Sequence, residues 1–277
     1  MAIASPWPPP ETFTFLNVTD SQGESEADFK LWGRTLDKAF AMFPDARFIV
    51  HNGDLTEDPA NERGWDAFFR QAAKWLDRVP LMPVAGNHDE VPGQAERFAS
   101  HFYVPDTGAD GATPGTVYSF DYGYAHIIAL NTESNLKRQT EWLRKDLKKN
   151  GKPWTIAAIH RPAYGGNQYE KIADWIEIFD EFGVNLVLQG HNHEYSRSYP
   201  LRDGEIVPEG QGKGTVYVVV NTAGPKFNVL KKDKFYHAVH TQPGKQTFAG
   251  ITVGEHALTY AAFEVDGAKV DEFSLSR

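Results

Sequence analysis

The sequence predicts an α/β fold in which a layered sheet system is flanked by helices. Up to Leu188, short apolar runs alternate with segments whose apolar residues recur at helical spacing. From Thr215 onward only strand patterns follow, and we expect these strands to extend or cover the same sheets. The apolar fraction of 41% over 277 residues suits a sizeable core.

The elements follow in a regular order. The first strand is expected at 13–19 and the first helix at 28–43, where Pro44 ends it. A second helix carries apolar residues from Trp65 to Leu76, and two more helices are predicted at 136–149 and 169–182. The remaining strands are predicted at 47–51, 81–85, 116–120, 125–131, 154–159, 185–188, 215–220, 246–253, 256–264 and 268–275.

We predict a single catalytic domain over 1–277 that begins with a proline-rich lead at 1–11. The strands after Thr215 are assigned to the same domain because no Pro/Gly/Ser-rich linker precedes them. The lead has neither a charged start nor a long apolar run, so it fits a cytoplasmic protein or a secreted one without its signal peptide. The sequence leaves the compartment and the oligomeric state open.

Composition excludes several classes of partner and site. The net charge of −9 argues against nucleic acid or an anionic membrane surface as the main partner, because both attract a basic face. No apolar run approaches the roughly 18 residues that a membrane span requires. With no cysteine, any metal must be held by His, Asp, Glu, Asn or Gln.

The side chains that could carry chemistry follow the predicted strands, at the point where each strand ends. Five such clusters contain Asp20 with Gln22, Asp54, Asn87 with His88, His160, and His191 with His193. The carboxyl ends of neighbouring strands in a layered α/β fold converge on one crevice, so the clusters can meet. Leaving His88 aside, these are seven nitrogen or oxygen ligands, which suit two metals better than one. Read alone, the loop Gly190-His191-Asn192-His193 presents two imidazoles to a shared metal.

These clusters resemble, in the same order, the motifs of the calcineurin-like metallophosphoesterase superfamily and of its purple acid phosphatase-like branch. The matching segments are Asp20, Gly53-Asp54, Gly86-Asn87-His88-Asp89, His160 and Gly190-His191-Asn192-His193. Each segment alone is a weak signal, whereas five in order at strand ends are specific. The resemblance covers nearly all of the chain and implies a layered α/β/β/α sandwich of two mixed sheets flanked by helices.

The resemblance implies a dinuclear centre of divalent or trivalent ions, which could be Fe, Mn, Zn or Mg. One metal would be held by Asp20, Asp54 and His193, and the other by Asp54, Asn87, His160 and His191. A hydroxide between the ions would attack the phosphorus of a phosphomonoester or phosphodiester in line. The two histidines of the Gly190–His193 loop would therefore belong to different metals.

Further roles follow from the resemblance and from position. His88 would protonate the leaving alkoxide, and Asp89 would orient its ring. Arg161, Arg197 and Lys226 lie beside the motifs and could bind phosphate oxygens, although each could equally be a charge-balancing partner. His51 and His126 are expected in the core or behind the ligands, and His237 and His240 on a solvated face of a lysine-rich loop.

Two residues depart from the pattern of the family. Gln22 stands where the superfamily places a histidine ligand, and Glu57 where purple members have a tyrosine ligand, so no purple colour is expected. Gln22 could bind through its amide oxygen or leave the first metal weakly held. The alternative hypothesis is therefore a degenerate member that binds metal and phosphate with little or no turnover.

Overall fold

A computed structural model of the protein describes residues 12–91, 95–210 and 212–277. The proline-rich lead at 1–11 lies outside the described residues. The strands are β1 (Phe13–Val18), β2 (Ile49–His51), β3 (Leu81–Pro83), β4 (Tyr118–Tyr122), β5 (Ala125–Ala129), β6 (Trp154–Ala158), β7 (Leu186–Gln189), β8 (Tyr195–Ser198), β9 (Leu201–Arg202), β10 (Glu205–Ile206), β11 (Val216–Val220), β12 (His237–Thr241), β13 (Thr247–Val253), β14 (Ala257–Glu264) and β15 (Lys269–Ser276). The helices are α1 (Glu26–Met42), α2 (Glu62–Leu76), α3 (Ala95–Ser100), α4 (Leu136–Lys149) and α5 (Ala173–Phe182).

Two mixed sheets form the centre of the fold. The first has the strand order β15-β14-β13-β1-β2-β3, and the second has the order β12-β8-β11-β7-β6-β5-β4. In the first, β1, β2 and β3 are parallel while β13 to β15 add an antiparallel extension. In the second, β5, β6, β7 and β11 are parallel, and antiparallel β4 and β8 flank them. The strands after Thr215 thus extend both sheets, as the sequence predicts.

The apolar residues form three layers of core. One cluster lies between the two sheets and includes Phe15, Val50, Ile156 and Val218. A second packs α1 and α2 on the outer face of the first sheet, and a third packs α4 and α5 on the outer face of the second. Strands that face core on both sides read as continuous apolar runs, as in β6 and β7. The α/β/β/α sandwich is therefore confirmed.

Capping residues fix where the helices begin and end. Ser25 caps α1 in a capping box with Asp28, in which each side chain bonds the backbone N–H of the other residue. Gly183 ends α5 in the left-handed conformation that the cap requires. The predicted helix at 169–182 is shorter than expected, because its first turn is a 3-10 turn at Glu170–Ile172 and α5 begins at Ala173.

Two strands of the second sheet were not predicted from the sequence. β8 follows the histidine loop directly, and β12 pairs with it at the edge of the sheet. Both carry polar residues such as Ser196, Arg197 and His240, so they lack the apolar pattern by which the other strands are recognised. Within the described ranges, no helix is both long enough and apolar enough to cross a membrane.

Candidate metal centre

The strand ends turn sharply where the candidate ligands lie. Asp20, Asp54, His191 and His193 all adopt the left-handed backbone conformation, with φ values of 53°, 54°, 69° and 46°. Such residues cost on the order of 1–3 kcal/mol each and occur mainly where function requires them. The turns direct side chains from the ends of β1, β2 and β7 into one space between the two sheets.

Asp54 lies at the centre of this space. Its Oδ1 accepts a hydrogen bond of 2.8 Å from the backbone N–H of His88, which holds the carboxylate in place. Its Oδ2 lies 3.3 Å from His160 Nε2 and 3.4 Å from Gln22 Nε2. One carboxylate oxygen therefore faces two different groups of potential ligands.

The first group lies on the side of β1. Asp20 Oδ2 accepts hydrogen bonds from the Thr19 hydroxyl and the His191 backbone N–H, and Oδ1 lies 3.0 Å from His193 Nε2. The Gln22 amide lies 3.4 Å from both Asp54 Oδ2 and His193 Nε2. The oxygen and nitrogen of the Gln22 amide exchange places when the group is rotated by half a turn. The Gln22 oxygen can therefore take the position of the Gln22 nitrogen. Gln22 is thus within reach of the ligand position that the sequence left open.

The second group lies on the side of β6. His160 donates from Nδ1 to the Asn52 carbonyl at 2.8 Å, which leaves Nε2 as the free ligand atom. Nε2 lies 3.0 Å from Asn87 Oδ1 and 3.3 Å from His191 Nδ1. The structure brings all seven proposed ligands together in two sets joined by Asp54.

The donor set fits metal binding. Among the described residues, Asp20 Oδ1 and Gln22 Oε1 are buried atoms without a hydrogen-bond partner. Buried polar atoms normally have partners, and a bound cation would satisfy these two oxygens. Carboxylate, amide and imidazole donors without thiolate suit Fe, Mn, Zn or Mg. The identity and number of ions remain proposals.

Electrostatics match a site built around cations. Burial alone raises the pKa of the Asp54 carboxyl, but His160 and His88 together lower it below its ordinary value, so Asp54 is ionised. Burial lowers the pKa of the His191 imidazole to about 4, with His160 adding to the effect, so this ring is neutral. Burial lowers the pKa of the His160 imidazole, but the charge and hydrogen bond of Asp54 outweigh it and raise that pKa to about 10. The carboxylates thus hold positive charge in the site, and an ion on His160 would take the place of its proton.

Two glycines are required by close packing at the strand ends. A Cβ on Gly86 would lie 2.3 Å from Asp54 Oδ1, and one on Gly190 would lie 2.2 Å from the Thr19 hydroxyl. Real Cβ contacts do not come so close, so a side chain at either position would displace a candidate ligand.

Asn52 holds the two sheets in register beneath the centre. Its amide donates to the carbonyls of Ile159 and Leu188, at the ends of β6 and β7, and its side-chain oxygen accepts from Asn17. It is fully buried. The sequence analysis missed this role, although Asn52 belongs to the polar segment after β2.

The expected role of Asp89 is wrong in one respect. Its carboxylate accepts backbone hydrogen bonds from Asp54, Leu55 and Gly86 at 2.6, 3.0 and 2.9 Å, and does not orient the His88 ring. These N–H groups all point into the loop interior, where the buried carboxylate satisfies them. Asp89 therefore fixes the backbone of the bridging aspartate.

His88 is oriented by Glu57 instead. Its Nδ1 lies 3.0 Å from the Glu57 carbonyl oxygen, which can only accept, so Nδ1 carries a hydrogen and Nε2 is left for a substrate. The Glu57 carboxylate lies 3.6 Å from the same nitrogen and also pairs with Lys226. His88 is partly exposed, as a group that meets substrate must be.

Arg161 lies at the mouth of the centre. Its Nε donates to both carboxylate oxygens of Glu133, its guanidinium lies over Tyr169, and Nη1 lies 3.2 Å from His191 Nε2. Glu133 follows β5 in one more polar cluster at a strand end, a signal that the sequence analysis could have used.

Arg197 does not lie in the site, so its expected role as a phosphate ligand is wrong. Its guanidinium donates to Asp271 at 2.6 and 3.2 Å and lies over Phe273. Side chains alternate along a strand, and Arg197 shares with Tyr195 the face of β8 that is turned toward β15. The charge-balancing alternative is the one that the contacts support.

Four further histidines had an expected position in the sequence analysis. His51 and His126 are buried, as expected, and His51 contacts the Ser21 hydroxyl at 2.9 Å. His237 and His240 are not on a solvated face: their side chains are 2% and 4% exposed. The expectation was wrong because this segment forms β12, whose inner side packs against the loop after β7.

A family comparison identifies the chain. The model of the calcineurin-like phosphoesterase family matches residues 13–195, so the chain belongs to this family. This confirms the resemblance that the strand-end motifs carry.

Relatives and solved structures point to the same branch. Acid phosphatase type 7 from Homo sapiens is 29% identical, over 81% of this chain and 59% of its own length. Purple acid phosphatase 15 from Arabidopsis thaliana is 31% identical, over 65% of this chain and 35% of its own. The purple acid phosphatase PPD1 from yellow lupin seeds superimposes with a TM-score of 0.85, at 21% identity, over 99% of this chain and 55% of that one. The chain thus spans about three fifths or less of the length of each of these three proteins.

Proposed function

We propose that the protein is a dinuclear metal-dependent phosphohydrolase that cleaves phosphomonoesters or phosphodiesters. The observation that carries this proposal is the position of Asp54, whose one carboxylate oxygen faces His160 on one side and Gln22 with His193 on the other. A carboxylate between two ligand sets can hold two ions about 3.5–4 Å apart, the spacing of two-metal phosphatase sites. When bound, such a pair generates a hydroxide nucleophile at neutral pH and stabilises charge on the phosphate.

The residues of the chain supply position and protons. Asp54, Asp20 and His193 with Gln22 hold one side, and Asn87, His160 and His191 hold the other. His88 would act as the imidazolium: it would donate the Nε2 proton to the leaving oxygen and become the neutral ring, whose Nδ1–H remains on the Glu57 carbonyl. Asp89 keeps the Asp54 backbone in its left-handed turn.

Arg161 and Lys226 are the proposed phosphate contacts. A metal on His191 Nδ1 leaves the hydrogen on Nε2, and two N–H donors cannot share the 3.2 Å contact with Arg161. Arg161 would therefore turn its Nη1 toward the substrate while Glu133 holds its Nε. Lys226 lies at the same opening through its ion pair with Glu57.

The test compares wild type with Asp54→Asn and with the matched control Asp45→Asn, which makes the same change at an exposed position. Each protein is loaded with Mn²⁺, Fe²⁺, Zn²⁺ or Mg²⁺ and given p-nitrophenyl phosphate and bis(p-nitrophenyl) phosphate. We expect Asp54→Asn to lose at least about 100-fold in rate. Losing a residue that only hydrogen-bonds to a metal ligand costs about 10–100-fold, and Asp54 would itself be a ligand of both ions. Equal, metal-independent rates in all three proteins would refute the proposal.

A degenerate binding protein is the second candidate, and Gln22 is the observation that favours it. The neutral amide of Gln22 stands where the superfamily has an imidazole, so the ion on the side of Asp20 would be bound more weakly. Metal analysis that finds one tight ion per chain, together with no hydrolysis over a broad phosphoester panel, would select this candidate.

A further inference from the structure

A second group of metal-binding side chains lies outside the proposed dinuclear centre, around β12. Asp233 Oδ1 lies 2.8 Å from His237 Nδ1 and 3.5 Å from His240 Nδ1, and the two imidazole rings are 4.1 Å apart. Ligand atoms about 2.0–2.2 Å from a tetrahedral zinc ion are roughly 3.3 Å from one another. Asp233, His237 and His240 therefore each offer a ligand atom within reach of one ion. The Lys234 backbone N–H lies 3.2 Å from His237 Nδ1, and an ion bound there would displace it.

The strand geometry explains how both rings reach the same place. Residues three apart on a regular strand point to opposite faces. β12 has a bulge, since His237 pairs with Ser198 and Val239 with Arg197 while the residue between them has no partner in the register. The extra residue places His240 on the same face of the strand as His237. The regular alternation of side chains along a strand would have put them on opposite faces.

Glu194 is the independent observation that points to an occupant. It is fully buried, and its Oε1 lies 3.4 Å from His240 Nε2. Among the described residues, neither atom has a hydrogen-bond partner. The other oxygen, Oε2, accepts from the backbone N–H of Lys231 at 2.8 Å. A buried carboxylate oxygen is therefore aimed at the outer nitrogen of His240, where a hydrogen on Nε2 would satisfy it and leave Nδ1 as the ligand atom.

We propose that Asp233, His237 and His240 bind one divalent transition-metal ion, with Zn²⁺ as the best match to two imidazoles and a carboxylate. An ion on His240 Nδ1 places the hydrogen on Nε2, where it faces Glu194 Oε1. This is the carboxylate–histidine–metal arrangement that sets ring orientation in zinc sites. Asp233 is 76% exposed, so solvent has access to the remaining coordination position.

An ion at this site would restrain the Gly190–His193 loop, which carries two of the proposed ligands of the dinuclear centre. Glu194 directly follows His193, and β12 pairs with β8 through His240–Ser196 and Thr241–Tyr195. Gln242, just beyond β12, donates to the His193 carbonyl at 2.7 Å. An ion on β12 would therefore restrain the backbone that carries His191 and His193, in a structural role and not in the hydrolysis itself.

The test measures Zn²⁺ content and thermal stability at a buffered, low free Zn²⁺ concentration. Asp54→Asn serves as the background, since it disrupts the dinuclear centre and leaves β12 unchanged. We compare it with the same chain carrying Asp233→Asn or His240→Gln, and with His256→Gln as the exposed control. We expect one ion fewer per chain, and loss of the Zn²⁺-dependent rise in Tm, for the first two only.

Asp233→Asn keeps the proposal falsifiable if His240→Gln fails to fold, because Asp233 is a surface residue. Equal Zn²⁺ content and equal Tm shifts in Asp233→Asn and His256→Gln would overturn it. The outcome is separate from that of the proposed function: phosphoesterase activity can be absent while the β12 ion is retained, and the reverse.

Discussion

At the residue scale, the two nitrogens of His88 have different environments. Nδ1 faces the Glu57 carbonyl, so the ring is fixed with Nε2 toward the opening, while the His88 backbone N–H holds Asp54. Only the backbone of this residue contacts a proposed ligand. Its side chain can therefore be replaced without removing a ligand.

Replacing this side chain, as in His88→Asn, should separate proton donation from metal binding. We expect both ions to be retained while turnover of alkyl phosphates falls by about 10²–10⁴, since their leaving groups need a proton. The loss on p-nitrophenyl phosphate should be smaller, because p-nitrophenolate leaves unprotonated. Rates on both substrates and metal content per chain test this, and loss of metal would show that His88 is a ligand.

At the scale of elements, a histidine joins β4, β5 and α4. His126 on β5 lies 2.7 Å from Asp121 on β4 and 2.7 Å from Asp146 on α4. Burial lowers the pKa of this imidazole, but the hydrogen bonds and charges of Asp146 and Asp121 outweigh it and raise the pKa above its ordinary value. The protonated ring thus links three elements.

The sign of this shift predicts how stability changes with pH. A group whose pKa is raised on folding contributes its full stability below the unfolded pKa of about 6.5, and loses it as pH rises through the folded pKa. His126→Gln should therefore cost more free energy of unfolding at pH 5.5 than at pH 9. Urea unfolding across this range tests the prediction, with His256→Gln as the control. A cost independent of pH would contradict it.

At the scale of the whole molecule, the two sheets are joined by a partly buried ion pair as well as by apolar packing. Arg197 on β8 and Asp271 on β15 belong to different sheets, and the Tyr195 hydroxyl donates to the same carboxylate. Removing one partner leaves a charge uncompensated in the interface between the sheets. This pair should therefore matter for stability and not for catalysis.

We expect Arg197→Leu to destabilise the fold by about 1–3 kcal/mol, between the cost of breaking an exposed and a buried ion pair, and Arg197→Leu with Asp271→Leu to cost less than the two single changes together. KM should stay at the wild-type value in Arg197→Leu and rise in Arg161→Leu, the matched change at the proposed phosphate contact. Unfolding curves and KM measurements decide this. A raised KM with unchanged stability in Arg197→Leu would show that Arg197 contacts the substrate.

Much of the fold follows from local pattern. α4 begins and ends as predicted, at Leu136 and Lys149, and the buried strands lie within a few residues of their predicted bounds. Apolar periodicity is a property of neighbouring residues, so it survives in the sequence. β8 and β12 were missed because their side chains serve contacts with distant residues such as Asp271 and Glu194.

The sequence by itself determined the α/β class, and the order of its strand-end motifs carried the resemblance that implied the family, the α/β/β/α sandwich and the candidate ligands. Only the tertiary structure decided which residues meet: Asp54 between the two ligand sets, Glu57 and not Asp89 at the His88 ring, Arg197 between the sheets, and His237 with His240 on one side of a bulged strand. These contacts join residues far apart in the chain, and their geometry depends on strand register and packing, which local pattern does not encode.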